Sequence, residues 1–133
     1  MTTKGVRKKK ARRPAYRRPG DEPEKVIQKR ILDWLKGTGL VHWRQNSGWA
    51  MMGPRMIRLG PEGLPDVIVI VPPGGQFLGL EIKNNKGRLR PSQVEFAEKL
   101  TNAGGIYRVV RSLEQAQNAV AEALGHAGMG RTS

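Results

Sequence analysis

The chain has 133 residues, about 14.8 kDa, with 24 Lys and Arg against 11 Asp and Glu, a formal charge of +13. That length suits one domain with a real core. The lack of cysteine excludes disulfide frameworks, thiolate metal sites and cysteine nucleophiles, and the two distant histidines, His42 and His126, argue against structural zinc. No apolar run approaches the roughly 18–20 residues that span a bilayer, and the basic N-terminus lacks the apolar stretch of a secretory signal. These features predict a soluble, cytoplasmic protein that prefers polyanions.

Nine of the basic residues and no acid fall within positions 1–20, leaving 15 basic against 11 acidic residues in the body. Such a block, broken by Pro14, Pro19 and Gly20, predicts a disordered basic arm that contacts phosphates without reading sequence. Residues 21–124 then form the domain and 125–133 a flexible tail.

Asp21 as cap, Pro23 in the first turn and Glu24 predict a helix start. Ile27, Ile31, Trp34 and Leu35 form its apolar stripe, and Gly37 and Gly39 end it. Val41-His42-Trp43 reads as a short strand, residues 45–48 as a turn and 51–54 as irregular, with a second short strand at Met56–Leu59. Val67–Val71 is five β-branched residues, a strand covered on both faces. Phe77–Lys83 predicts a strand antiparallel to it. A basic loop leads to a helix opened by Ser92 and Glu95, with Phe96, Leu100 and Ala103 on its core face. Ile106–Val110 is the last strand, and Ser112 with Gln115 caps a helix carrying Leu113, Ala116, Val120 and Leu124. The order α-β-β-β-β-α-β-α predicts an α/β domain with a mixed sheet.

Asp66 opens the apolar strand, and the next strand reads Leu80-Glu81-Ile82-Lys83. Side chains alternate faces, so Glu81 and Lys83 project together. Buried charges need partners, and two carboxylates brought close need a cation. Mg²⁺ or Mn²⁺ meets that demand, with the Ile82 carbonyl as a further oxygen donor. Beside a basic surface, this set suits phosphodiester hydrolysis, with the ion neutralising the phosphate and acidifying water while Lys83 orients or activates the nucleophile. A structural Glu–Lys pair with an Asp in a turn produces the same short pattern, so the triad alone leaves both readings open.

The wider pattern resembles the PD-(D/E)xK nuclease superfamily, specifically the virus-type replication–repair nuclease (VRR-NUC) family. The resemblance rests on Glu24-x-x-x-Gln28, Trp43-Arg44-x-Asn46-Ser47-Gly48, Gly60-x-x-Gly63-x-Pro65-Asp66, Phe77-Leu78-Gly79-Leu80-Glu81-Ile82-Lys83, Gly87-x-Leu89, Gln93 and Gly104-Gly105. It implies a restriction-endonuclease-like core, a mixed central sheet flanked by helices. It also implies that Asp66 and Glu81 bind the metal, that Lys83 assists the water and that Gln93 positions catalytic groups. Glu24 matches an acid of the first helix that reaches the metal through water. Arg90 stands where this family commonly has a capping Ser or Thr.

Small members of this kind resemble phage and bacterial Holliday-junction resolvases. The function implied is a Mg²⁺/Mn²⁺-dependent endonuclease on branched or structured DNA, working as a homodimer without membrane or organic cofactor, in a bacterial cell or phage-infected host. A structure-independent nicking nuclease and a non-catalytic DNA-binding accessory protein are the alternatives. Arg44, Asn46, Arg55, Arg58, Lys86, Arg88 and Arg90 are the DNA-contact candidates. Trp43 and Trp49 flank the Asn46 loop, where either could meet DNA or a second subunit. Met51, Met52 and Met56 suit a subunit contact.

Overall fold

A computed structural model of the chain describes residue 18, residues 20–45 and residues 48–132. The basic arm predicted for 1–20 lies mostly outside the described residues, as do Asn46 and Ser47. The elements run α1 (Glu24–Lys36), β1 (Val41–Arg44), β2 (Gly48–Met52), β3 (Arg55–Leu59), β4 (Val67–Val71), β5 (Gln76–Ile82), α2 (Pro91–Asn102), β6 (Ile106–Val110) and α3 (Leu113–Thr132).

The central sheet has the order β1-β4-β5-β6. β4 pairs antiparallel with β1 and with β5, whereas β5 and β6 are parallel, so the sheet is mixed as expected. The β-branched run of β4 is buried on both faces. Val67, Val69 and Val71 join Leu78, Leu80 and Ile82 in a core sealed by Ile27, Ile31 and Leu35 of α1 and by Ala116, Val120 and Ala123 of α3. At about 25 cal/mol per Å² of apolar area removed from water, this two-helix layer is the main stabilising element. The opposite face carries Gly79, Glu81 and Tyr107, and α2 covers it, with Phe96 against Tyr107 at 6.3 Å between ring centroids.

Several local expectations change. Pro23, extended at φ −58 and ψ 147, takes the position before α1, and the helix opens at Glu24. Asp21 is therefore too early to cap the first amides and instead accepts from Asn85 Nδ2 at 2.9 Å. Of residues 51–54, expected to be irregular, Met51 and Met52 lie in strand β2, which forms an antiparallel hairpin with β3 around Gly53-Pro54. Gly53 makes that turn possible with φ +61, a value that only glycine adopts without strain.

α2 begins at Pro91 rather than Ser92, with Gln93 as its third residue. Gln93 Oε1 accepts from the Arg90 amide at 2.8 Å. The reciprocal half of a capping box is absent because a guanidinium has no acceptor. Ala103, expected on the core face, is exposed. Ser112 caps α3 as expected, its Oγ accepting from the Gln115 amide at 3.1 Å. That helix runs to Thr132 instead of ending at Leu124, which is exposed.

Candidate active site

The antiparallel register pairs Val67 with Leu80, and one step further along both strands Asp66 lies opposite Glu81. Asp66 Oδ2 accepts from the Ile82 amide at 2.8 Å, which aims its carboxylate at the C-terminal end of β5. Glu81 and Lys83 project from the same face of the chain, as alternation requires, with Lys83 Nζ 3.4 Å from Glu81 Oε2. Both are buried, at 2% and 6% exposure.

Gln93, also buried, donates from Nε2 to Glu81 Oε2 at 2.9 Å while its Oε1 holds the first turn of α2. One amide thus fixes both the helix start and the rotamer of the carboxylate. Tyr107 Oη, on the neighbouring strand, donates to Glu81 Oε1 at 3.5 Å. Glu81 therefore has a hydrogen-bond donor on each oxygen.

These surroundings set the protonation of the site. Burial pushes the Glu81 carboxyl up to about 7, the Asp66 charge adds to the rise, and the Lys83 ammonium opposes it. Asp66 is also raised, chiefly by burial, against the lowering effect of the Ile82 amide, with the Glu24 charge contributing to the rise. The two carboxyls each raise the cost of ionising the other, so the metal-free site favours holding a proton. The Tyr107 hydroxyl is held above its ordinary value by burial first and by Glu81 second.

Glu24, half-buried at the start of α1, is brought to this cluster through Gly87. A Cβ on Gly87 would lie 2.5 Å from Glu24 Oε2 and 3.0 Å from Lys83 Cδ, so only glycine lets loop, helix and strand approach this closely. Among the described residues no three His, Cys, Asp or Glu side chains form a ready metal cage. The Asp66–Glu81 pair is the donor set available: two desolvated carboxylates on adjacent strands, which suits a hard divalent cation.

Sequence patterns did not single out three supporting residues. Arg111 Nη1 donates to the Asn84 and Gly87 carbonyls and so anchors the loop that carries Lys86, Arg88 and Arg90. Asn84 turns the same loop, its Oδ1 accepting from the Lys86 and Gly87 amides at 3.0 Å each. Tyr107, noticed only as part of a strand, is the third. Its alternation with Val110 marks a residue on the Glu81 face, but only the parallel pairing of β5 and β6 places it at the carboxylate.

The basic candidates divide by location. Lys86, Arg88 and Arg90 are exposed on the loop beside the site, and Arg44 is exposed at the end of β1, next to Val67. Arg55 lies at the tip of the β2–β3 hairpin, and Arg58 sits 4.5 Å over the Trp49 ring and 3.3 Å from Glu62. Trp49, Met51, Met52 and Met56 expose 57–61% of their surface on that hairpin. Asn46 lies outside the described residues.

Two solved structures share this fold. One described as a VRR-NUC domain aligns with a TM-score of 0.53 at 24% identity, over 74% of this chain and 94% of its own. A VRR-NUC domain protein aligns with a TM-score of 0.60 at 16% identity, over 78% and 89%. At such identities they establish the fold, which is restriction-endonuclease-like. No curated protein matches the sequence. The VRR-NUC domain model matches residues 22–114, from the cap of α1 to the first turn of α3 and across every residue of the acid cluster. The chain belongs to the VRR-NUC family and carries its nuclease domain.

Proposed function

We propose that this chain is a Mg²⁺- or Mn²⁺-dependent DNA endonuclease that acts on branched or otherwise structured DNA, such as Holliday junctions, as a symmetric homodimer. The observation that carries this reading is half-buried Asp66 opposite buried Glu81, with Lys83 Nζ 3.4 Å from Glu81 Oε2, beside a loop that exposes Lys86, Arg88 and Arg90. A binding module gains nothing from two desolvated carboxylates that repel each other. A hydrolase gains a place for a cation.

Asp66, Glu81 and the Ile82 carbonyl are the residues that would hold the ion, with Glu24 acting through water. When bound, the ion supplies charge neutralisation and Lewis acidity toward the phosphodiester and the attacking water. The protein's own work is positional. The Ile82 amide orients Asp66, and Gln93 and Tyr107 hold the two oxygens of Glu81. Lys83 orients the nucleophile and stabilises charge that develops on the phosphate. Lys86, Arg88 and Arg90 hold the flanking phosphates.

Each subunit offers one such site, so cutting two strands symmetrically needs two subunits. The apolar hairpin of β2 and β3 is the surface suited to that contact, rich in the Trp and Met that protein interfaces favour. The setting is the cytoplasm of a bacterial cell or phage-infected host, and among the described residues no helix is long and apolar enough to cross a membrane.

The test is cleavage of a four-way junction, a nicked duplex and supercoiled plasmid in Mg²⁺, Mn²⁺ or chelator, for wild type and Asp66→Ala. Metal-dependent cutting by wild type alone, with the junction preferred, is the expected result. Equal cutting of all three DNAs would leave a structure-independent nicking enzyme. Tight binding without cutting would leave an accessory protein.

A further inference from the structure

We infer that the cleft between α1 and β1 is a second nucleic-acid site, which holds a short single-stranded segment of DNA leading away from the catalytic end of the sheet. The cleft has a volume of about 420 Å³ and is lined by both elements. Its walls run together. α1 starts at the acid cluster with Glu24 and leads away to Lys36, while β1 returns from Val41 to Arg44, which pairs with Val67 beside Asp66. One mouth of the cleft therefore opens at Lys25 and Arg44, next to the site, and the other at Lys36.

The lining matches an extended polyanion. Lys25, Lys29 and Lys36 recur along one face of α1, and Arg44 adds a fourth cation from the strand. Asp33 is the one acid of the lining, and it pairs with Lys29 at 2.8 Å and Lys36 at 3.9 Å. Among the described residues neither Lys25 nor Arg44 has a carboxylate partner. From Lys25 to Lys36 the helix rises roughly 16 Å at 1.5 Å per residue, enough for up to about five nucleotides at ~3.4 Å each.

Two features favour a single strand over a duplex or an acidic peptide. A cleft of about 420 Å³ admits one backbone and not a double helix. Trp43 also lines it at the open edge of the sheet, 43% exposed, with its indole held by the Nε1 bond to Gln45 Oε1 at 3.0 Å. A fixed aromatic ring at the lip of a basic groove is the arrangement on which unpaired bases stack. Gln28 and His42 supply hydrogen-bonding groups inside it. His42 Nδ1 is already engaged with the Leu40 carbonyl at 2.8 Å, which leaves Nε2 for a ligand. For a nuclease of structured DNA, such a channel would accept the strand that a branch or opened end releases. That role rests on the proposed nuclease function, whereas binding of the strand does not.

The test uses full-length protein in EDTA at physiological salt, with fluorescence anisotropy of a short labelled oligothymidylate and of a duplex of equal phosphate number. Trp43→Ala and the double variant Lys25→Glu/Lys29→Glu are each expected to weaken the oligothymidylate about tenfold and the duplex less than about threefold. Circular dichroism melting confirms that these exposed substitutions leave the fold intact. A milder Lys25→Gln/Lys29→Gln pair, expected to lose about threefold, replaces the charge reversal if α1 is perturbed. Unchanged oligothymidylate binding in the variants overturns the inference. So does equal loss for the duplex, or displacement of the oligonucleotide by polyglutamate at matched charge. Variant-sensitive binding with no cleavage in any metal would sink the nuclease function and leave the cleft standing. Metal-dependent cleavage with variant-insensitive binding would do the reverse.

Discussion

Glu81→Gln should stabilise the metal-free protein at alkaline pH and leave its acid stability almost unchanged. The carboxyl is 2% exposed and pushed from 4.5 up to about 7. The folded chain therefore holds this proton more tightly than the unfolded chain does. Stability falls as pH rises from about 4.5 to about 7, because ionising Glu81 in place carries the desolvation penalty and the repulsion of Asp66. At about 1.36 kcal/mol per pH unit, the difference approaches the order of 3 kcal/mol by pH 8. Glutamine mimics the protonated acid, still accepts from Gln93 and does not titrate. Urea unfolding in EDTA at pH 5 and pH 8, followed by circular dichroism, reads the effect directly. The variant and wild type should agree at pH 5. At pH 8 the variant should be more stable, by an amount worth roughly 10 °C in Tm for a domain of this size. Saturating Mn²⁺ should recover stability in wild type only, since a ligand that binds the native state alone stabilises it. Parallel pH curves for the two proteins would refute this account of the site.

Further outcomes follow from the same geometry. Gly87→Ala places a methyl 2.5 Å from Glu24 Oε2, so cleavage should fall at least about tenfold with little change in Tm; Glu24→Ala should show a comparable loss. Arg111→Ala removes the donor shared by the Asn84 and Gly87 carbonyls and should destabilise the chain by about 1–3 kcal/mol, with hydrogen-exchange protection lost first in residues 84–87. Gly63→Ala combines φ +87 with a Cβ 2.1 Å from the Ser92 carbonyl oxygen, and chemical denaturation should show a loss of at least about 2 kcal/mol. Metal affinity and cleavage should both rise with pH up to about 7 and then level, because a cation must displace the proton on Glu81. A flat profile between pH 5 and 8 would exclude Glu81 as a ligand.

Local physics made much of this protein legible in its sequence. Five β-branched residues announce β4, the 3.6-residue period announces α1, and period-two alternation places Glu81 beside Lys83. The triad and the family blocks identify the domain because their spacing is dictated within one or two adjacent strands. Where the determining contact lies far along the chain, the sequence is silent. Strand β2, unlike its expected partner β3, is not legible because its outward face, with Met51 opposite Met56, lacks the polar alternation that usually marks an exposed strand. Asp21 looks like a cap, but its carboxylate is claimed by Asn85, on a loop 64 residues away.

The acid cluster divides along the same line. The sequence by itself determined which residue types are present and on which side of a strand each one lies, since alternation is a property of the backbone alone. Tertiary structure decided which of them meet. Antiparallel pairing sets Asp66 opposite Glu81, and the parallel pairing of β5 with β6 brings Tyr107 to the same carboxylate. The first turn of α2 aims Gln93 at Glu81, and the absence of a side chain at Gly87 admits Glu24 beside Lys83. Those contacts join segments up to 63 residues apart, from Glu24 to Gly87. They exist because burial of one apolar core closes the chain on itself, and the raised affinity of Glu81 for its proton follows from that burial.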